Sequence, residues 1–155
     1  MKKHAKTIFY ILFLLYISGV SADLFFCRKS DFQIPIKEYF AYYANGKPLK
    51  TLLRYLRYVC IRRDAESICL ALFNIGGNLV LFLPMGFFLP CLFRALRRFD
   101  NALCVMTFVV ISSELLQGFF RLGIPDTDDV LMNLLGASLG FCMAKRLRFC
   151  EKILS

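Results

Sequence analysis

From Ser67 to Phe93 the sequence runs for 27 residues without one charged side chain, between Glu66 and Arg94. A helix of that length rises about 40 Å, more than the roughly 30 Å of a bilayer's hydrocarbon core, and no ordinary soluble domain needs it. The chain is therefore expected to be an integral membrane protein. Pro84 and Pro90 lie inside the run and predict a break in the helix. Three further apolar stretches support the reading: Thr7 to Phe26, Asn101 to Phe120 and the shorter Val130 to Ala144. The first could also serve as a signal-peptide core, with Val20-Ser21-Ala22 as a passable cleavage site, but its apolar character continues past that point and favours an uncleaved helix.

These spans divide the chain into five parts. A basic N-terminal tail (1–6) precedes the first transmembrane helix (7–26), and a polar segment (27–66) leads to a core of three helices (67–144) and a basic C-terminal tail (145–155). The fold class expected is all-α, a small bundle of about four transmembrane helices. Within the polar segment Leu49, Leu52, Leu53, Leu56 and Val59 recur at helical spacing among Lys50, Arg54, Arg57, Arg62 and Arg63. That pattern suits a basic amphipathic helix, either lying among lipid headgroups or docked on the bundle.

Composition excludes several functions. The net charge of +9 is spread in short clusters beside apolar spans, which fits attraction to membrane lipids rather than nucleic-acid binding. Seven cysteines show no paired spacing and the single histidine, His4, lies in the N-terminal tail, so zinc, haem and thioredoxin chemistry lack ligands. No cofactor motif is legible. Ten of the 20 basic residues fall on each side of the bundle. Their density beside span ends, in Arg94 to Asp100 and Lys145 to Arg148, places both termini in the cytoplasm of a multi-pass protein of the cell membrane.

A charge in hydrocarbon costs at least about 2.5 kcal/mol, which makes Glu114 in the third span the most informative single residue. Glu114, Gln117 and Arg121 share one helical face. On the fourth span Asp129, Asn133, Gly136 and Gly140 form another stripe. Gly136 and Gly140 make a GxxxG surface that lets another helix approach closely, a candidate helix–helix partner face. Asp126 can cap this helix, with Asp128 and Asp129 in its first turn, and the three acids could alternatively hold Mg²⁺ against a phosphate. Asn74 and Asn78, one turn apart on the second span, need partners across the bundle. Counting helical rise from the span ends puts Asn74, Asn78, Glu114 and Asn133 at similar depths in one half of the membrane, which predicts a shared polar cluster.

Two blocks carry a family resemblance. Asn78 to Gly86 (NLVLFLPMG) is similar to an N-hydrophobic-F-x-P-x-G segment, and Glu114 to Gln117 (ELLQ) is followed by Asp126, Asp129, Asn133, Gly136 and Gly140 in fixed spacing. Together they resemble the VanZ-like family of small membrane proteins, whose founding member is associated with teicoplanin resistance. The resemblance implicates Asn78, Pro84, Gly86, Glu114, Gln117, Asp126, Asp129, Asn133 and Gly136. It implies a non-catalytic protein that alters how a lipoglycopeptide antibiotic or a cell-wall lipid intermediate engages the outer membrane face. An enzyme acting on a lipid-linked phosphate is the alternative, with Glu114 as acid or base, although no nucleophile and base pair is legible. A third alternative is a structural or partner subunit of a membrane complex, whose polar stripe only holds helices together.

Overall fold

The computed structural model describes residues 2–25, 34–62 and 65–147. Its elements are helices α1 (Lys2–Phe25), α2 (Ile36–Tyr43), α3 (Lys50–Arg57), α4 (Ala65–Leu92), α5 (Phe99–Phe120) and α6 (Thr127–Arg146), with a π-helical turn over Tyr58–Arg62 and a 3₁₀ turn over Arg94–Arg97. Among the described residues there is no strand, only an isolated bridge between Asn45 and Asp126. The chain is a small all-α bundle.

Three helices, α1, α4 and α5, are long and apolar enough to cross a membrane. The fourth, α6, is 20 residues long, about 30 Å of rise. Its charges, Asp128 and Asp129, Lys145 and Arg146, sit in the first and last turns where they complement the helix dipole. Outward-facing side chains along these helices are apolar: Leu15, Phe73, Val80 and Phe108 are all more than 60% exposed. An exterior of this kind suits lipid as solvent.

Helix α4 is continuous from Ala65 to Leu92 with Pro84 and Pro90 inside it, so the expected break is corrected. Proline removes one backbone donor per position, but hydrocarbon strongly favours keeping every other intrahelical bond, and neighbouring helices support the freed carbonyls. The helix packed most closely on α4 is α6. A Cβ added to Gly136 would lie 2.1 Å from the Leu79 carbonyl oxygen, and one added to Gly140 would lie 1.9 Å from that of Leu83. On the other side, a Cβ at Gly86 would lie 1.7 Å from the Ala137 oxygen. The two backbones approach so closely only because these three positions carry no side chain. The pairings advance together along both helices, so α4 and α6 run parallel, with α5 returning between them. The helix lying against Gly136 and Gly140 is thus the chain's own α4.

The core joins Phe82, Met85 and Leu89 of α4 to Ala102, Met106 and Val110 of α5 and to Ala137 and Phe141 of α6. Helix α1 is laid on this core by aromatic edges. Phe9 and Phe13 each contact Phe88 with ring centroids 5.7 Å apart, and the Tyr16 hydroxyl donates to the Leu81 carbonyl at 2.7 Å.

The segment preceding α4 folds onto one end of the bundle. Helix α2, which periodicity did not reveal, starts after Pro35 and buries Tyr39, whose hydroxyl donates to the Gly123 carbonyl at 2.9 Å. Phe40 packs at Gly118 of α5, where a Cβ would meet its ring at 2.7 Å. The leucine spacing found by inspection does form α3, but the α-helix stops at Arg57 and continues as the π turn to Arg62.

Candidate functional site

The polar residues lie at the end of the bundle where α6 begins. Asp126 is the N-cap of α6, its carboxylate accepting from the Asp128 amide at 2.9 Å. The same carboxylate binds the loop before α3: the Asn45 side-chain amide donates to it at 2.9 Å and the Thr51 hydroxyl at 2.5 Å. Asn45 is stitched by its backbone as well, donating to the Pro125 carbonyl at 2.8 Å and accepting from the Thr127 amide at 3.0 Å. A two-residue parallel bridge thereby locks the polar segment onto the entrance of α6.

Asp128 caps a second helix. Its carboxylate, 3% exposed, accepts from the Leu49 amide, from Thr51 at 2.7 Å and from Leu52 at 3.0 Å. These are the donors that the first turn of α3 leaves without intrahelical partners. One carboxylate therefore satisfies the amino end of α3 and sets its dipole against a negative charge, each charge-assisted bond being worth about 1.5–3 kcal/mol. Leu49 takes a left-handed conformation, φ 65°, to turn the chain into that cap.

Asp129, next along, turns to α4. The Asn78 amide donates to its carboxylate at 2.6 Å, a bond between the two parallel helices. Beside this pair is a cavity of about 10 Å³ lined by Thr51, Tyr55, Asn74 and Asp128, room for about one water. Burial, and then the charge of Asp129, raise the Tyr55 phenol above its ordinary value, so it is neutral and able to donate at physiological pH. Asn74 reaches the rim of the cavity, but its amide donates to Leu70 of its own helix at 2.8 Å.

The expected single cluster is therefore divided. Asn78 and Asp129 meet, Asp126 joins Asn45 and Thr51, and Gln117 faces elsewhere, buried and donating to the Leu24 carbonyl of α1 at 3.4 Å. Asn133 is 3% exposed, and its buried Oδ1 has no hydrogen-bond partner among the described residues. Arg121 ends α5 in a left-handed conformation, φ 54°. Glu114 lines an open groove of about 340 Å³ with Asp126, Thr127, Ile111, Leu115 and Val130. Among the described residues no group of His, Cys, Asp and Glu side chains is placed to hold a metal ion, and the three acids of α6 point to three different partners.

Sequence reasoning missed Asn45, Thr51 and Asp128 as organisers. Asn45 stood out only as a turn former, and its partners lie some 80 residues away. The one available signal was three acids in four residues, more than a single cap requires.

The family model for VanZ/LLP1 matches residues 7–149. No curated protein and no solved structure matches the chain. The match covers the whole bundle described above, and the chain belongs to this family.

Proposed function

We propose that this VanZ/LLP1 family member is a non-catalytic membrane protein that changes how an amphiphile engages the outer membrane face, the amphiphile being a lipoglycopeptide antibiotic of the teicoplanin type or a cell-envelope lipid. The observation carrying this reading is the groove of about 340 Å³ beside Glu114. Its walls of Ile111, Leu115 and Val130 suit an acyl chain or an aromatic face, and the Glu114 carboxylate suits amine and hydroxyl donors of a headgroup. The reading takes the orientation that the density of basic residues beside the span ends supports, with both termini in the cytoplasm and the groove outside.

The bonds of Asp126, Asp128 and Asn78 to other protein groups support a structural role for those three, and Glu114, which lines the groove beside Ile111 and Leu115, is the residue proposed to meet the headgroup. Asp129 and Asn78 bond to each other between α4 and α6 and border the small cavity beside Tyr55, not this groove. The enzymatic alternative has less support, since the acids that could have carried a cation are spent on separate partners.

Vesicles carrying the full chain are expected to retain more labelled teicoplanin than empty vesicles. Glu114→Gln should cut that excess about tenfold, the worth of one bond to a charged group, while the exposed control Glu66→Gln leaves it intact. Equal retention by wild type, Glu114→Gln and empty vesicles would count decisively against the reading.

A further inference from the structure

A second cavity lies on α3, away from the groove of Glu114. Lys50, Arg54 and Arg57 follow one another at i, i+4 and i+7 and so share a face. With Lys47 from the preceding turn they line a recess of about 570 Å³, floored by Leu53 and Tyr58. All four basic side chains are exposed, and none of them forms a salt bridge with another described residue. Four like charges held within two turns repel one another, and a chain keeps them together at that cost where an anion relieves it.

The position of α3 says which anion. Asp128 ties the helix's first turn to the first turn of α6, so α3 lies at the level where the apolar helices leave the hydrocarbon. Leu49, Leu53 and Leu56 are about half exposed beside the basic face. A soluble acidic partner would leave those leucines in water, whereas a lipid headgroup region takes apolar and cationic groups side by side, with long basic side chains reaching up to phosphates. Arginine contributes here by bidentate recognition of phosphate and lysine as a point charge.

We infer that the recess formed by Lys47, Lys50, Arg54 and Arg57 is a binding site for the phosphate of an anionic phospholipid in the leaflet that meets α3. The site stands apart from the amphiphile groove and does not depend on it. It anchors α3 in the headgroup layer and adds a lipid-dependent hold to a helix otherwise fixed by Asp128 and by its contacts with α4.

Native mass spectrometry of the full chain in neutral detergent tests this with dihexanoyl phosphatidylglycerol, dihexanoyl phosphatidylcholine and inorganic phosphate as probes. Phosphatidylglycerol should be retained at least about tenfold better than phosphatidylcholine, given roughly a fivefold contribution from each basic residue. Arg54→Gln with Arg57→Gln should erase the preference, and Lys145→Gln with Arg146→Gln, an equal charge change at the far end of α6, should keep it. Added salt should weaken phosphatidylglycerol retention by the wild type, a readout that needs no variant. Equal retention of the two lipids, an equal loss from both double variants, or displacement of phosphatidylglycerol by an equal concentration of inorganic phosphate would each overturn the assignment. Because teicoplanin is absent, failure here leaves the reading of Glu114 standing.

Discussion

At Asp128 one carboxylate belongs to the first turn of α6 and terminates the first turn of α3. Replacing it by asparagine keeps one acceptor oxygen and removes the charge, so Asp128→Asn should destabilise the docking of α3 by about 2 kcal/mol. Hydrogen exchange should then show lost protection at Thr51 and Leu52 while α5 amides stay protected. Asn133 presents the opposite case, a buried acceptor without a partner among the described residues. Asn133→Leu removes a polar group that costs about 1–3 kcal/mol to bury, and the detergent melting temperature should hold or rise. A marked fall would mean that Asn133 makes a stabilising bond to water or lipid. Residue chemistry was legible in the sequence where the partner was near: Asp126 could be read as the cap of α6 because its donor, Asp128, is two residues on. The three amides that Asp128 accepts from lie 76 to 79 residues earlier, and no local pattern encodes that register.

Among the elements, α4 and α6 define the molecule. Their contact depends on Gly86, Gly136 and Gly140 having no side chain, since a Cβ at any of them would fall within 2.1 Å of a facing carbonyl oxygen. Gly136→Val should therefore force the helices apart and sharply reduce the yield of folded monodisperse protein. Gly76→Ala should not, because a Cβ there meets nothing within 4 Å. The small residues were legible as a close-packing face, and which helix they pack on was not, because GxxxG specifies proximity without naming the partner. The prolines misled for a related reason. In water Pro84 would end the helix, but in a membrane-spanning bundle the surviving hydrogen bonds outweigh the one removed. Helix α2 escaped notice since Ile36–Tyr43 spans barely two turns, too short for a period of 3.6 to declare itself. Helix α3 did declare itself, by leucines and basic residues each recurring at helical spacing, although its change to a π turn at Tyr58 carried no signal.

For the molecule as a whole, the all-α bundle was legible because lipid imposes so severe a constraint on backbone polar groups, and of the four expected spans α1, α4 and α5 are long and apolar enough to cross a membrane. The long polar segment reads in sequence as a connection carrying one amphipathic helix, and in the structure its described part contributes two helices, a bridge and the partners of Asp126 and Asp128 at the bundle's end. That is why the polar residues could be assigned to one end of the bundle but not resolved into their separate partners. Asn78, Asp126 and Asp129 prove to be held by other protein groups, and Glu114 lines the open groove. If that groove engages an acylated glycopeptide, the effect should depend on the acyl tail, which teicoplanin carries and vancomycin lacks. The most direct test is susceptibility to both drugs in cells with and without the chain, at matched protein levels of wild type and Glu114→Gln. The account predicts that wild type shifts teicoplanin susceptibility alone and that Glu114→Gln abolishes the shift; an equal shift for both drugs, or none for either, would contradict it.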